Sequence, residues 1–168
     1  VGVVIPKTEQ DLIRAVEIAL DAGVPVLPRG GGTSQCGQTV NEAVVIDCSL
    51  YLNKIVNFDP GHKKITVQPG MVLDHLNAFL KPYGLFFPVD ISTASRATIG
   101  GMTANNSCGA RSIHYGIMVD NVLSIEAFLP TGEHLRFADT PENISELLAP
   151  KSYEKIVNQV RLIAQREG

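Results

Sequence analysis

The chain has no block of like charge, no long apolar run and few cysteines, and each absence removes a class of function. A net charge of −3, spread without runs, leaves no electrostatic footprint for nucleic acid or an acidic membrane surface. No apolar stretch approaches the ~20 residues that a bilayer-spanning helix needs. Cys36, Cys48 and Cys108 are odd in number and widely spaced, so they make neither a disulfide framework nor a zinc pattern. Reduced thiols in an intracellular, cytoplasmic protein are the expectation. No pair of histidines or cysteines has metal-ligand spacing, so no metal or iron–sulfur site is expected. Internal repeats and low-complexity linkers are missing as well. The start, VGVVIPKTEQ, has no initiator methionine, no basic segment and no cleavage site, and IAQREG stops just after a helical pattern. Both ends read as cuts in a longer polypeptide.

What is present suits a globular domain. With 168 residues, 45% hydrophobic and 18% charged, the chain can build one good core or two small lobes sharing an interface. VGVVIP reads as a short buried strand ended by Pro6. A helix follows, opened by a Thr8 cap with Asp11 three residues on, and Gly23 supplies its stop. Leu12, Ile13, Val16, Ala19 and Leu20 form its inner face. VPVLP is the next strand, and a strand–helix–strand unit of this length favours a parallel pair. Ala43–Asp47 reads as a third buried strand. KIVNFDPGHKKITVQPG reads as a hairpin turning at DPGH. A second helix carries Leu73, Leu76, Phe79 and Leu80 inward and ends at Gly84. Residues 85–116 show little strand signal. NVLSIEAFLPTGEHLRFA restores a hairpin with its turn at TG, and a last helix, Ser152 to Arg166, aligns Ile156, Val160 and Ile163. The pattern is α+β in two small lobes, 1–69 and 70–168, divided near Pro69–Gly70.

Two clusters carry the chemistry. PRGGGTSQCGQ, Pro28 to Gln38, places three glycines directly after a strand. Successive glycine N–H groups can point into one concavity and bind an anion, and the lack of Cβ lets a pyrophosphate approach. Thr33 and Ser34 add hydroxyls, and Arg29 adds a charge or lays its stem along the sheet edge. The spacing is neither G-x-x-x-x-G-K-[ST] nor a G-x-G-x-x-G that opens a helix. A flexible surface loop is the plain alternative. The second cluster, PVDISTASRATIGGMTANNSCGARSIHYG from Pro88 to Gly116, holds small residues against which a flat ligand can lie. Its Asn and Ser side chains can meet a heterocycle edge, or equally serve local Asx and Ser turns.

Taken together and in this order, the two clusters resemble a known family. The runs P-R-G-G-G-T-S and A-T-I-G-G-M-x-A-x-N, the pair Tyr115–Gly116 and the run D-N-V-L-S-I-E are similar to the FAD-binding domain of the vanillyl-alcohol oxidase and p-cresol methylhydroxylase type. Within it the likeness is nearest to FAD-linked 2-hydroxyacid dehydrogenases such as D-lactate dehydrogenase and the glycolate oxidase flavin subunit. The resemblance spans Val4 to Phe137. It implies a two-lobed FAD-binding domain, incomplete at its C-terminal end, that clasps the flavin between its lobes. It assigns the pyrophosphate to Pro28, Arg29, Gly30, Gly31, Gly32, Thr33 and Ser34. It runs the pyrophosphate, ribityl chain and isoalloxazine along a second loop, Thr98, Gly100, Gly101, Asn105, Asn106, Ser107, Cys108 and Gly109. On that reading the glycines clear space for the phosphates.

The resemblance also implies what this chain lacks. Some members attach flavin covalently through a histidine in the first loop, where this chain has Thr33, so noncovalent FAD is expected. Cys108 does not occupy the position of the covalent cysteine of other members; it is expected as a small packing residue or a backbone donor near the flavin. The family closes its flavin lobe with a later strand and then carries a substrate domain, so the catalytic residues are expected outside this chain. His62, His75 and His134 read as solvated, and His114, beside Tyr115–Gly116 in the second cluster, is the histidine that could approach the flavin. The implied reaction oxidises a small 2-hydroxy acid to the 2-oxo acid and passes electrons to an acceptor that the sequence does not name. The piece alone is expected not to turn over. A flavin domain of another branch, or a nonredox module that binds a nucleotide or phosphate, would use the same first loop.

Overall fold

The structure is a computed structural model describing residues 2–129, 131–139 and 150–167. It divides into two compact units, Val1–Val122 and Leu123–Gly168. The expected boundary at Pro69–Gly70 falls inside the first of them.

The first unit begins with β1 (Gly2–Val4), α1 (Glu9–Asp21), β2 (Val26–Arg29) and β3 (Val44–Asp47), whose strands form one parallel sheet in the order β1-β3-β2. The expected parallel relation of β1 and β2 holds, but β3 lies between them, paired Val3↔Val45 and Leu27↔Val45. The physical reason is burial. In the sheet centre β3 buries both Val45 and Ile46, on opposite faces, whereas β1, which also carries successive apolar residues, buries none of its own. β1, expected as buried, is an edge strand with Val3 62% exposed.

Helix α1 starts as its sequence indicates. Thr8 Oγ1 accepts from the Asp11 N–H at 3.1 Å, and the Asp11 carboxylate accepts from the Thr8 N–H at 2.9 Å. These bonds hold the Asp11 carboxyl below the usual carboxylate range, the Thr8 hydroxyl foremost. Gly23 follows the helix with φ +64°, the left-handed stop. Leu12, Ala15 and Val16 pack onto Ile46, Cys48 and Leu52. Burial pushes the Cys48 thiol up to about 11, so this cysteine is a packing residue.

The hairpin of β4 (Ile55–Asp59) and β5 (Lys64–Val67) is antiparallel as expected, and the Asp59 carboxylate closes its turn by accepting from the His62 N–H at 3.0 Å. Helix α2 (Leu73–Leu80) buries Leu76 and Leu80, which with Met71 meet Ile55, Phe58, Ile65 and Val67 of the hairpin. A 3-10 turn, Lys81–Tyr83, then leads to Gly84 at φ +69°. The core of α2 on the hairpin therefore spans Pro69–Gly70. Gly70 is buried there with its N–H on the Leu52 carbonyl at 2.7 Å.

Residues 85–122 contain three helices that the sequence pattern did not reveal: α3 (Ile99–Ala104), α4 (Ser112–Tyr115) and α5 (Met118–Asn121). They are four to six residues long, too short for a helical period to show, and α3 carries Gly100 and Gly101 against its propensity. Tertiary packing holds them: Met102 and Met118 are buried with Leu73, Val89 and Ala97.

The second unit contains the expected hairpin, β6 (Ser124–Phe128) against β7 (His134–Ala138), with Gly132 at φ +81° in its turn. Its helix α6 (Lys151–Glu167) buries Tyr153, whose ring meets Phe137 edge-on at 5.2 Å. The expected apolar stripe does not form a buried face: Val160 and Ile163 are more than half exposed, and no strand or helix among the described residues covers them. No helix among the described residues is long and apolar enough to cross a membrane.

Candidate functional site

The two clusters meet. The first loop leaves β2 at Arg29 and runs against Arg96–Thr98, the segment that leads into α3. A methyl group on Gly31 would lie 2.9 Å from the Arg96 carbonyl carbon, and one on Gly30 would lie 3.2 Å from Thr98 Cβ. The first is closer than packed carbons come, and the second is tighter than most such contacts. The missing Cβ atoms at Gly30 and Gly31 thus make room for the protein's own Arg96 and Thr98. Clearance for phosphates, the role expected of them, is not what requires glycine at these two positions.

Thr98 is the joint. It is 1% exposed, its Oγ1 accepts from the Gly101 N–H at 3.3 Å, and it forms an isolated antiparallel bridge with Val72. The start of α3 is then consumed internally. Ile99 N–H donates to the Met71 carbonyl at 2.8 Å and Gly100 N–H to the Pro69 carbonyl at 2.9 Å. Gly100 also needs its missing side chain, since a Cβ would stand 2.6 Å from Pro69 Cβ. Thr98→Val should cost about 1 kcal/mol through the lost cap, while Thr98→Ser should keep most of it. A pair of urea melts checks this, and equal midpoints for the two variants would contradict it.

The first loop is the opposite case. Among the described residues no acceptor meets the backbone N–H of Gly30, Gly31, Gly32, Thr33 or Ser34, and all five residues are half-buried. Half-buried donors without acceptors are costly unless a ligand or water completes them. Gly32 sits at φ +64°, and the Arg29 guanidinium lies over it. Ser34 Oγ accepts from Gln38 Nε2 at 2.5 Å. Donors, a cation and hydroxyls on one turn fit a phosphate-bearing ligand such as FAD.

Side chains of the second cluster are engaged largely with their own neighbourhood. Asn106, at φ +46°, accepts from the Val119 N–H at 3.0 Å, and Thr103 Oγ1 donates to the Ile99 carbonyl at 2.8 Å. Ser107 takes the Met118 N–H at 3.1 Å on its carbonyl, and Asn105 Nδ2 reaches Ser107 Oγ at 3.5 Å. The Gly109 N–H donates to Ser112 Oγ at 3.0 Å, and its Cα rests on the Asp90 carbonyl. The Asp90 carboxylate accepts from the Arg111 N–H at 2.9 Å. Cys108 is an exposed free thiol, not a packed one. Gly101 is exposed and faces Thr98 Oγ1. Neither the Asn106 nor the Thr103 bond is a local Asx or Ser turn: Asn106 reaches α5 thirteen residues on, and Thr103 bonds back within α3.

His114 is exposed in α4, edge-on to Tyr115 at 4.5 Å, and Tyr115 meets Phe86 at 5.7 Å. His62 lies 2.7 Å from Asp59 in the β4–β5 turn. Among the described residues no group of three His, Cys, Asp or Glu side chains is placed to hold a metal ion. Arg96, Pro69, Met71 and Asp90 are the site's unforeseen members. They act mostly through backbone carbonyls, which no residue type announces.

Comparison with known proteins agrees with this geometry. The FAD binding domain family matches residues 1–138. D-2-hydroxyglutarate dehydrogenase of Haemophilus influenzae is 36% identical over 163 residues, covering 92% of this chain and 16% of that protein. The mitochondrial cytochrome-type D-lactate dehydrogenase of Arabidopsis thaliana is 36% identical over 138 residues, covering 81% of this chain and 24% of that protein. Among solved structures, an alkyldihydroxyacetonephosphate synthase superposes with a TM-score of 0.73 at 26% identity, covering 87% of this chain and 30% of that one. This chain thus spans a minor part of each relative's length. With the family matched over most of its residues, and with relatives among FAD-linked 2-hydroxy acid dehydrogenases, the chain belongs to the FAD-binding domain family of the vanillyl-alcohol oxidase and p-cresol methylhydroxylase type.

Proposed function

We propose that this chain holds FAD, noncovalently, for an oxidoreductase that oxidises a 2-hydroxy acid of the D-lactate, glycolate or D-2-hydroxyglutarate kind to the 2-oxo acid. The observation that carries it is the run of unpartnered N–H groups from Gly30 to Ser34 beneath Arg29, in a chain of this family. Pro28 to Ser34 would bind the pyrophosphate: the amides as donors, Arg29 as cation, Thr33 and Ser34 through hydroxyls. Thr98, Gly100 and Gly101 would support that loop from behind. Asn105, Asn106, Ser107, Cys108 and Gly109 would lie along the rest of the cofactor. Thr33, with no nucleophilic ring nitrogen, leaves the histidine position of the first loop without a covalent attachment point. The flavin supplies the acceptor for a hydride equivalent from the substrate carbon; the chain supplies its position and electrostatic setting. The substrate's base and carboxylate clamp are assigned to the part of the relatives' length that this chain does not span.

The test is a visible spectrum of the full chain mixed with FAD and desalted, with ADP as a parallel ligand. A retained two-band flavin spectrum that acid precipitation releases into solution is the expected result. Colour that stays with the precipitate would overturn noncovalent attachment. A colourless chain that retains ADP would favour the nonredox nucleotide-binding reading. Retention of neither would overturn phosphate binding at the loop.

A further inference from the structure

The register of the parallel sheet sets Arg29 of β2 directly beside Asp47 of β3. Neighbouring strand residues of opposite charge ordinarily attract. Here the two form no ion pair. Among the described residues no carboxylate forms an ion pair with Arg29. Asp47 Oδ1 instead accepts from the Ser49 N–H at 2.9 Å and from Ser49 Oγ at 2.6 Å. The Arg29 guanidinium folds forward over the glycine loop, with Nη2 at 2.7 Å and Nε at 3.0 Å from where a Cβ on Gly32 would stand.

We propose that Ser49 is a positioning residue: by engaging the Asp47 carboxylate it withholds that anion from Arg29 and leaves the guanidinium to the phosphates of the cofactor. The inference rests on the functional reading above, that the Gly30–Ser34 loop holds the pyrophosphate of FAD. Its logic is competition. A guanidinium can give its paired donors to Asp47 or to a phosphate, and an internal carboxylate would be present at all times. The Asp47–Ser49 bonds, both on Oδ1, orient the internal competitor toward Ser49, and αL Gly32, which has no side chain, makes room for the guanidinium on the turn. Ser49 touches no ligand in this scheme; it acts through Asp47.

The experiment is a titration of the full chain with FAD, followed by flavin fluorescence, for four variants at two salt concentrations. Ser49→Ala should weaken binding about two- to fivefold, the worth of an exposed ion pair formed in competition. Asp47→Asn added to Ser49→Ala should return the affinity to that of the unaltered chain, because the competing charge is gone. Arg29→Met should weaken binding about tenfold or more and flatten its salt dependence. Adding Asp47→Asn to Arg29→Met should then change nothing. Unaltered affinity in Ser49→Ala, or a loss that Asp47→Asn does not restore, would overturn the proposal. Melting curves run alongside separate a merely structural serine, which would lower stability without altering the salt slope. Failure of the unaltered chain to bind FAD would instead sink the functional reading, a different result from normal binding with an indifferent Ser49.

Discussion

Gly31→Ala should destabilise the chain by about 3 kcal/mol, the upper end of what overpacking costs, because the obstacle is main chain. A methyl group there stands 2.9 Å from the Arg96 carbonyl carbon and 3.4 Å from Ala97 Cα. Neither can rotate aside as a side chain does, so the loop and the segment before α3 must part. Gly30→Ala meets the Thr98 side chain instead, and a rotamer change can relieve part of the strain. Gly37→Ala is the control: φ +81° with nothing within 4 Å, so only the left-handed backbone cost of about 1–2 kcal/mol applies. Urea midpoints should therefore fall most for Gly31→Ala. Gly31→Asp drives a larger, charged side chain into the same Arg96–Ala97 main chain, displaces the loop and should abolish retained flavin colour altogether. A Gly31→Ala midpoint no lower than that of Gly37→Ala would mean that the loop does not rest on Arg96.

Much of this architecture was legible locally. Thr8 with Asp11 marked the start of α1, and Gly23 and Gly84 marked helix stops, because caps are set by one residue's own chemistry. DPGH and TG marked two turns for the same reason. The position of β3 between β1 and β2 was not legible, since nothing local distinguishes a neighbouring strand from one a step further away. The stripe on α6 shows the limit of periodicity: Val160 and Ile163 recur at helical spacing yet lie exposed among the described residues. At the site, both clusters were visible as residue types, but their contact through Arg96 and Thr98 was not. The glycine triplet was read as open space for a ligand, whereas Gly30 and Gly31 give their space to the protein. The proposed phosphate site rests on the unpartnered N–H groups, a property of conformation and not of composition.

The second cluster closes by the same device, which makes Gly109→Ala the companion experiment. The Gly109 Cα lies so near Asp90 that a Cβ would overlap the Asp90 carbonyl oxygen. The same Asp90 holds the Arg111 N–H through its carboxylate at 2.9 Å, with the guanidinium 3.7 Å away. Gly109→Ala should therefore cost about 3 kcal/mol and detach the segment from 106 to 116 before the rest of the unit melts. Limited trypsin digestion reads that opening at Arg111, which should be cut faster in the variant under conditions where the unaltered chain resists. Asp90→Ala distinguishes two causes. It removes the carboxylate but keeps the crowding carbonyl, so adding it to Gly109→Ala should give no rescue, and alone it should open the segment less. Rescue by Asp90→Ala would mean that the carboxylate, not the main chain, demands glycine at 109. In either outcome the flavin reading gains a constraint, because the turn proposed to lie along the cofactor is held by Asp90, at the start of the second cluster and nineteen residues before Gly109.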